Sequence, residues 1–381
     1  MTADVVIIGG GCIGASVAWH LAERGITNVV LLERESQLGT ASTGRNAGGV
    51  RHQFSTEANI RLSMESIALL ERFEDVVGAP IDLHQDGYIF LLSRPEDVAA
   101  FEASVALQRQ CGVAVDWLDA AAAARLAPGL TTDGVLAATY CAKDGISDPN
   151  GVTMGFAAGA RRAGVTIRRG APVTGLRVEG SRVTGVEIGD ETISAPVVVN
   201  ATGAWASQIG AMAGVALPIQ PLRRHIFIGA PPAGAVWPQN RVMVIDFATG
   251  FYFHREGAHL LFGMGDPTEV HGFDITVDWS VMDHIAPVAA TRMPALTDAS
   301  IVKAWAGLYE VTPDHTPIIG PTGPDGLFTI AGFSGHGFQH SPAAGRVLAD
   351  VIAGRDPQFD LTPFALERFA SAASSHERGF V

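Results

Sequence analysis

A glycine-rich turn between two apolar strands, close to the N-terminus, constrains the fold more than any other feature of this sequence. The pattern there is strand, turn, helix and strand, over Asp4–Ile8, Gly9–Gly14, Ala15–Arg24 and Asn28–Leu32. Gly9 permits the tight turn, Gly11 lets the backbone approach a pyrophosphate, and Gly14 allows the helix to pack closely on the strand. This order predicts a parallel sheet with a dinucleotide site at the start of the helix.

Glu33, at the end of the second strand, refines the prediction of a nucleotide site. It follows Gly11 by about 20 residues, the spacing at which an acidic side chain accepts hydrogen bonds from an adenosine ribose. The acid disfavours a 2′-phosphate and therefore NADP. The residues alone leave NAD and FAD open, and the alternative is a structural glycine turn with a surface glutamate. Arg34 is the next expected contact for adenine or ribose, against an ordinary surface arginine.

Composition excludes several classes of protein. A length of 381 residues suits two domains or one large one, and 47% hydrophobic against 17% charged residues excludes a disordered chain. A net charge of −13 argues against a nucleic-acid partner. No run of about 18 apolar residues occurs, so we expect no transmembrane segment. The early strand leaves no room for a signal peptide, and we expect a cytoplasmic protein, with peripheral membrane association for electron transfer left open.

Cysteine and histidine spacing gives no metal motif. Cys12, Cys111 and Cys141 are widely spaced, and no CxxC pair occurs. The histidines are scattered without the spacing of metal ligands. We therefore expect a reducing compartment, free thiols and no metal site.

Apolar periodicity along the rest of the chain predicts alternating helices and strands. Helical patterns cover 57–77, 96–127, 151–163 and 341–352, and strand patterns cover 83–92, 165–169, 173–179, 182–188, 197–199 and 327–331. Residues 216–312 are rich in β-branched and aromatic side chains broken by glycine and proline, which predicts a mostly antiparallel sheet.

Four segments, spread over nearly the whole chain, resemble the D-amino acid oxidase-like family of flavoproteins. They are Val5–Glu33, Gly39–Arg61 (GTASTGRNAGGVRHQFSTEANIR), Val197–Trp205 (VVVNATGAW) and Leu327–Gly345 (LFTIAGFSGHGFQHSPAAG). Two patches agree, Phe251–Phe253 with Gly263, and Trp305–Gly320 (WAGLYEVTPDHTPIIG). The family includes sarcosine oxidases, glycine oxidase, dimethylglycine dehydrogenase and the β-subunit of dye-linked L-proline dehydrogenase. The second segment looks closest to that β-subunit, and it also resembles a mitochondrial flavoprotein tied to respiratory-complex assembly.

The resemblance implies an α/β fold of two interleaved domains. A Rossmann-type FAD-binding domain would combine 1–80, 141–215 and 313–381. A smaller antiparallel-sheet substrate domain, an α+β part over 81–140 and 216–312, would roof the flavin.

The resemblance also implies FAD as the cofactor. Backbone amides of the polar 39–49 loop suit a phosphate or ribityl chain, against the alternative of a flexible surface loop. Those of 332–337, before a helix, suit the N1/O2 edge of a reduced flavin. Val173 would hold adenine by its backbone, against an ordinary strand valine. The expected FAD contacts are Gly9, Gly11, Cys12, Ile13, Gly14, Glu33, Arg34, Thr43, Gly44, Arg45, Asn46, Ala47, Gly48, Gly49, Val173, Ala201, Thr202, Gly203, Trp205, Gly307, Gly332, Gly335, His336, Gly337, Phe338 and Gln339.

Four side chains are expected to act on the substrate. Arg51 corresponds to the arginine that binds the substrate carboxylate in monomeric sarcosine oxidase, and arginine suits bidentate binding. Tyr309 corresponds to an active-site tyrosine of that enzyme, and Tyr252 to a carboxylate-binding tyrosine of glycine oxidase. His336 is expected to contact a flavin edge or to help accept a proton. The alternatives are a surface ion pair for Arg51, buried tyrosines with a satisfied hydroxyl, and an ordinary loop histidine.

The sequence departs from the family where special groups are expected. Gln339 stands where sarcosine oxidase has a lysine, and the oxygen-activating lysine of that enzyme falls near Gly263–Met264. Its flavin-linking cysteine falls at Gly307, and the flavin-linking histidine of dimethylglycine dehydrogenase falls at Arg45. These departures imply a noncovalent FAD and a dehydrogenase rather than an oxidase.

The function implied is FAD-dependent oxidation of a small amino acid, with a secondary amine such as sarcosine or proline favoured, by hydride transfer to the flavin. Two alternatives stay open: a 2-hydroxy-acid dehydrogenase with the same carboxylate clamp, and a non-catalytic flavoprotein that assembles or partners a complex. The electron acceptor, such as a quinone or another protein, and the formation of homo- or hetero-oligomers also stay open.

Overall fold

The structure is a computed structural model, which describes residues 1–370 and 376–378. The remaining residues, 371–375 and 379–381, belong to the predicted FAD-binding domain and lie outside the described residues.

Helices and strands alternate over much of the chain. The helices are α1 (Cys12–Glu23), α2 (Glu57–Leu70), α3 (Phe73–Val77), α4 (Pro95–Gln110), α5 (Ala120–Leu126), α6 (Pro149–Arg162), α7 (Ala206–Met212), α8 (Met282–Arg292) and α9 (Gly337–Ile352). Short 3-10 helices cover Ser42–Arg45, Gly203–Trp205, Trp279–Val281, Pro294–Leu296, Thr362–Phe364 and Leu366–Ala370. The strands are β1 (Val5–Ile8), β2 (Val29–Leu32), β3 (Gly49–Val50), β4 (Tyr88–Leu92), β5 (Asp116–Leu118), β6 (Ala137–Cys141), β7 (Gly145–Ile146), β8 (Thr166–Arg168), β9 (Gly175–Glu179), β10 (Arg182–Ile188), β11 (Glu191–Ser194), β12 (Val197–Asn200), β13 (Gln220–Ala230), β14 (Met243–Asp246), β15 (Phe251–Glu256), β16 (His259–Gly263), β17 (Ser300–Val311), β18 (Ile318–Pro321) and β19 (Leu327–Ala331).

A six-stranded sheet in the order β18-β19-β12-β1-β2-β8 carries the glycine turn. The strand β1 pairs in parallel with β12 on one side and with β2 on the other, so Val6 lies between Val198 and Val30. Every residue of β1 and β2 is buried, as expected for parallel strands that are covered on both faces.

Two different layers cover this sheet. The helices α1, α6 and α9 pack on one face, where Trp19 and Phe156 join the core. The small antiparallel sheet β9–β11 covers the other face through Val183, Val186 and Ile193. The expected α/β architecture is confirmed.

The second large sheet has eight strands, in the order β17-β13-β16-β15-β14-β4-β6-β5. It is antiparallel except for the parallel pair β4–β14, which the sequence patterns did not predict. That pair joins the two separate stretches of chain that form the sheet, 88–141 and 220–311. The six-stranded sheet comes from 5–32, 166–200 and 318–331. This division follows the predicted segments, although the domain boundaries stay a prediction.

Several element boundaries differ from the predicted ones. The helical pattern over 96–127 is interrupted, because the turn at Gly112, with φ +94°, ends α4 and the short strand β5 pairs with β6 before α5. The helical pattern over 57–77 is likewise divided into α2 and α3. The strand predicted from 173 begins only at Gly175, so Val173 precedes it.

The last long helix starts earlier than predicted. The pattern placed its beginning at Ser341, but α9 begins at Gly337 and contains Pro342, which is unusual inside a helix. The Ser341 hydroxyl donates a hydrogen bond of 2.8 Å to the carbonyl of Phe338, the group that a proline at 342 leaves without its helical donor. The amides at the positive end of α9 therefore belong to Gly337 and the residues just after it.

Two further features concern the periphery of the fold. The described C-terminal residues His376–Arg378 pack at the start of α2, where Glu377 accepts hydrogen bonds from the backbone N–H groups of Ser55 and Thr56. Within residues 1–370 and 376–378, no helix combines the length and the apolar character needed to cross a bilayer.

Candidate active site

A cavity of about 330 Å³ extends from the glycine turn to the face of the eight-stranded sheet. It begins at the carboxyl ends of β1, β2 and β12, the edge at which open parallel sheets bind ligands. The predicted residues that line it are Gly9, Gly11, Cys12, Ile13, Glu33, Arg34, Thr43, Arg45, Asn46, Ala47, Gly49, Arg51, Val173, Ala201, Thr202, Gly203, Trp205, Tyr252, Gly307, Tyr309, Gly335, His336, Gly337, Phe338 and Gln339. The structure thus brings together most residues that the sequence singled out.

Four predicted contact residues do not line this cavity: Gly14, Gly44, Gly48 and Gly332. A Cβ at any of them would lie 2.5 Å or less from a neighbouring atom, such as the carbonyl oxygen of Gly9 for Gly14 or the Thr312 methyl group for Gly332. These four glycines therefore lie behind the residues that line the cavity, where they allow the chain to pack closely.

The glycine turn leaves room at the start of α1. Gly9 has φ +109°, and a Cβ there would lie 2.3 Å from the carbonyl oxygen of Ala201. The hydroxyl of Thr43 accepts a hydrogen bond of 3.2 Å from the Cys12 amide, so the polar loop after residue 39 meets the first turn of α1. Burial raises the pKa of Cys12 to about 11, so its thiol stays neutral beside the helix end.

Glu33 lies on the wall of the cavity, directly after β2. One carboxylate oxygen accepts a hydrogen bond of 2.8 Å from the amide of Gly10, and the other accepts one of 2.8 Å from the amide of Glu35. An ionised carboxylate has about four lone-pair sites, so both contacts are compatible with a further bond to a ribose hydroxyl. Arg34 lies with its guanidinium carbon 3.8 Å from the ring centre of Trp205.

Hydrogen bonds join the 39–49 loop to strand β17. The Arg45 side chain donates a hydrogen bond of 2.9 Å to the carbonyl of Ala306, and the Trp305 indole donates one of 3.0 Å to the carbonyl of Arg45. The Asn46 side chain bridges the loop, donating to the carbonyl of Thr43 and accepting from the amide of Gly48. These contacts favour an ordered loop over the alternative of a flexible surface loop.

Arg51 lies fully buried at the inner end of the cavity. Its guanidinium donates to the carbonyl of Gln53, lies 3.2 Å from Nε2 of His336 and sits 4.0 Å from the ring centre of Phe54. Its backbone amide donates to the side chain of Gln339 at 2.7 Å. Burial lowers the pKa of Arg51 below its usual value, but an arginine remains protonated. The alternative of a surface ion pair is therefore wrong, because Arg51 is a buried cation.

Arg51 also separates this cavity from a second one of about 450 Å³. The second cavity is lined by aromatic side chains, including Phe101 and Phe247, and by Glu377 of the C-terminal segment. Arg51 contributes to the walls of both cavities.

Three tyrosines line the end of the first cavity that contains Arg51, which we call the inner cavity, and each tyrosine packs on a glycine. A Cβ would lie 1.8 Å from the Tyr88 hydroxyl at Gly49, 2.5 Å from the Tyr252 hydroxyl at Gly263 and 2.6 Å from the Tyr309 ring at Gly335. Burial raises the pKa of all three phenols above the usual tyrosine value. They therefore remain protonated at neutral pH, and a protonated phenol can donate a hydrogen bond.

Sequence reasoning missed several residues of the inner cavity. Tyr88, Met243 and Ile245 come from β4 and β14, the pair of strands whose neighbourhood the pattern did not reveal. Arg224 also lines the cavity, with its guanidinium carbon 5.2 Å from the ring centre of Tyr309. Its position on the long strand β13 gave no motif, because it stands between the polar residues Arg223 and His225.

A second group of residues contrasts with the expected absence of metal ligands. His52, Cys141 and Asp144 are buried together, with ligand atoms within 4.8 Å of one another. The Asp144 carboxylate accepts hydrogen bonds from the His52 amide at 2.7 Å and from the Gln53 side chain at 3.0 Å, and it lies 2.7 Å from Nδ1 of His52. Hydrogen bonds thus account for this group, which linear spacing concealed.

The geometry fits an FAD molecule. The glycine turn would offer the first amides of α1 to a pyrophosphate, and Glu33 would accept hydrogen bonds from a ribose. Gly335–Gly337 place the positive end of α9 beside the inner cavity. The model of the FAD-dependent oxidoreductase family matches residues 4–351. The chain belongs to the FAD-dependent oxidoreductase family. FAD is therefore its cofactor, and the protein is an oxidoreductase.

Known members of the FAD-dependent oxidoreductase family are similar over nearly the whole chain. FAD-dependent oxidoreductase domain-containing protein 1 of Xenopus laevis is 32% identical, covering 100% of this chain and 85% of that protein. Mitochondrial dimethylglycine dehydrogenase of Rattus norvegicus is 31% identical over 96% of this chain, which spans only 45% of that enzyme. Among solved structures, L-proline dehydrogenase from P. horikoshii superposes with a TM-score of 0.89 at 32% identity, covering 97% of this chain and 98% of that chain.

Proposed function

We propose that this protein is a dehydrogenase of small amino acids, and that its substrate carries a secondary amine, as sarcosine and proline do. The observation that carries the proposal is the continuity of the cavity from the glycine turn to an inner pocket with a buried cation, Arg51, and phenol donors. The relatives named for dimethylglycine and proline support the choice of an amine, and the 45% coverage of the former keeps its activity a proposal here.

The residues of the inner cavity suit a substrate with a carboxylate next to an amine. Arg51 would bind the carboxylate, since a guanidinium has five N–H donors and matches a carboxylate bidentately. Tyr252 and Tyr309, both protonated, would donate further hydrogen bonds. The apolar side chains of Ile226, Met243 and Ile245 line the same space and would exclude water from the reacting carbon.

Bound FAD supplies the acceptor for a hydride from the carbon next to the substrate nitrogen. The chain's task is to hold that carbon in place and to receive the proton of the amine. His336, within 3.2 Å of the Arg51 guanidinium and on the cavity wall, is positioned to take part in the proton transfer. The phenols are poor bases here, because burial holds their pKa values high.

We further propose that FAD is held without a covalent bond and that oxygen is a poor electron acceptor. Gly307 and Arg45 stand where relatives with linked flavins have a cysteine or histidine, and Gln339 replaces a lysine. A cytoplasmic location stays part of the proposal.

Anaerobic mixing of the FAD-loaded protein with a panel of small acids tests the function. Sarcosine, proline, dimethylglycine and glycine would be compared with lactate at equal concentrations, following the flavin absorbance. We expect bleaching by a secondary amine. Bleaching by lactate alone would establish the 2-hydroxy-acid dehydrogenase instead, and no bleaching by any compound would favour the non-catalytic flavoprotein.

A further inference from the structure

Glu310 is a buried acid that the proposed oxidation does not use. It lies on β17 next to Tyr309, and it lines the cavity. Its Oε2 atom is shielded from solvent and makes no hydrogen bond among the described residues. The backbone N–H groups of Gly332 and Phe333 are the polar groups that act on the carboxyl. A buried carboxyl oxygen without a partner is costly, which points to a group that completes the site.

The neighbours of Glu310 define where that group would lie. A Cβ at Gly203 would lie 3.4 Å from Oε2, and a Cβ at Gly337 would lie 3.4 Å from Oε1, so the carboxyl sits between the turn after β12 and the start of α9. Cys12, at the start of α1, lies close enough for the Glu310 charge to act on its thiol. Glu310 is thus between the two helix ends that face the cavity.

That position corresponds to the middle of an FAD molecule. The start of α1 suits the pyrophosphate and the start of α9 suits the flavin ring, and the ribityl chain connects these two parts of FAD. The polar groups of the ribityl chain are hydroxyls, each of which can donate and accept a hydrogen bond. We propose that Glu310 is an FAD-anchoring residue that binds in its protonated form and donates a hydrogen bond to a ribityl hydroxyl.

The surroundings of Glu310 favour the protonated form. Burial raises the pKa of Glu310 to about 7, against the lowering effect of the backbone N–H groups of Gly332 and Phe333. Among the titratable side chains of the described residues, the neutral thiol of Cys12 is the one that interacts with Glu310. An FAD pyrophosphate would add negative charge and further burial, both of which disfavour a carboxylate.

The proposal predicts that FAD binding takes up a proton. At a pH above about 7 the apo-protein must first protonate Glu310, so the apparent Kd for FAD rises with pH, by up to about tenfold per pH unit. FAD itself has no group that titrates near neutral pH. A carboxylate that accepted a hydrogen bond from the ribityl chain would give the opposite dependence.

Titration of the apo-protein with FAD between about pH 6 and pH 9, followed by flavin fluorescence, tests the proposal. In Glu310→Gln the amide keeps a donor and cannot ionise, so we expect a Kd close to that of the wild type at low pH and no dependence on pH. In Glu310→Leu we expect weak binding at every pH. Glu187→Gln, at an exposed position on β10, is the matched control and should keep the wild-type slope.

Calorimetry in two buffers of different ionisation enthalpy gives an independent measurement on the wild-type protein. We expect a net uptake of protons on FAD binding near pH 8, and no uptake in Glu310→Gln. The absence of uptake in the wild type, or an unchanged pH slope in Glu310→Gln, would overturn the proposal. The result does not depend on which substrate the enzyme oxidises.

Discussion

Arg51 illustrates how much a single buried side chain determines in this site. Its guanidinium lies against the ring of Phe54 and beside His336, and it separates two cavities. Because Arg51 is buried, a carboxylate that binds it interacts more strongly than it would with an exposed arginine. A charge pair of this kind is strongly weakened when one partner is removed.

Replacement of Arg51 by alanine should therefore abolish most of the activity. Removal of one partner of a buried charge pair costs about 2–5 kcal/mol, which corresponds to a loss of roughly two to three orders of magnitude in kcat/KM. Steady-state kinetics with the best amine substrate measures the loss, and the FAD content should stay unchanged. Arg61→Ala, an exposed arginine on α2, is the control. Unaltered kinetics in Arg51→Ala would exclude the carboxylate clamp.

Glu33 should contribute to FAD affinity through its charge. A hydrogen bond to a charged group contributes about 1.5–3 kcal/mol, so Glu33→Ala should weaken FAD binding by about tenfold or more. The variant also removes the contacts to the amides of Gly10 and Glu35, which Glu33→Gln keeps in part. Fluorescence titration of the apo-proteins measures both, with Glu35→Ala as the control. An unchanged affinity in Glu33→Ala would remove this residue from the FAD site.

The charges near the inner cavity bear on the choice of electron acceptor. A fixed positive charge next to a reduced flavin favours reaction with oxygen. The resemblance places the oxygen-activating lysine of sarcosine oxidase near Gly263–Met264 and a second lysine at Gln339, and this chain has a lysine at neither position. We expect substrate-reduced protein to be reoxidised by air more slowly than by a quinone or dye in stopped-flow experiments. Arg51, Arg224 and the positive end of α9 are the groups that could reverse this expectation. Reoxidation by oxygen as fast as turnover would identify an oxidase.

At the scale of secondary-structure elements, helix α9 shows what the sequence pattern can predict and what it cannot. The pattern of Leu327–Gly345 predicted a strand, a glycine loop and a helix, and β19 and α9 confirm that order. The start of α9 was predicted four residues too late, because the pattern assigns residues 337–339 to the glycine loop. In the structure the Ser341 hydroxyl donates a hydrogen bond to the carbonyl of Phe338, which Pro342 cannot do from its backbone. Likewise, Tyr88 reaches the cavity through the parallel pairing of β4 with β14, and pairing between distant segments leaves no local pattern.

Two buried histidines, His20 on α1 and His340 on α9, should make the protein sensitive to acid. Burial lowers the pKa of both His20 and His340 to about 3, and the ring of His20 lies 3.0 Å from the carbonyl of Pro342. In the unfolded chain a histidine has a pKa of about 6.5, so below that pH the unfolded state binds protons that the folded state does not. Each histidine then lowers the free energy of unfolding by up to about 1.4 kcal/mol per pH unit.

Urea unfolding at several pH values between about 7.5 and 5 measures this effect. We expect full stability above pH ~6.5 and a steady loss below it. His340→Leu should reduce the slope, whereas His284→Gln, at an exposed position on α8, should leave it unchanged. The same slope in His340→Leu and in the wild type would contradict the assignment.

At the scale of the whole molecule, the FAD cavity is assembled from segments far apart in the chain. Its wall includes residues of 8–13, 41–51, 171–173, 201–212, 307–310 and 335–339. Such a site can enclose a cofactor on many sides, so strong binding does not require a covalent bond.

Acid precipitation of the FAD-loaded protein tests this point. We expect all the yellow colour in the supernatant, because Gly307 and Arg45 cannot form the flavin bonds found in relatives. Colour that stays with the protein pellet would show a covalent link. A sample denatured by heat at neutral pH provides the control for trapped cofactor.

During translation, β1 is synthesised long before β12, the strand with which it pairs. The apolar strand at Val5 leaves the tunnel early, but its neighbour at Val197 is synthesised about 190 residues later, at about 5–20 residues per second. For about 10–40 s the newborn chain therefore carries a strand with an open edge. The helix α1 finds its partner α9 later still, because α9 is near the end of the chain. The two helices pack closely at Gly345, where a Cβ would lie 2.2 Å from the Ser16 hydroxyl. The yield of active enzyme in a cell thus depends on how well that early segment is kept from other partners during translation.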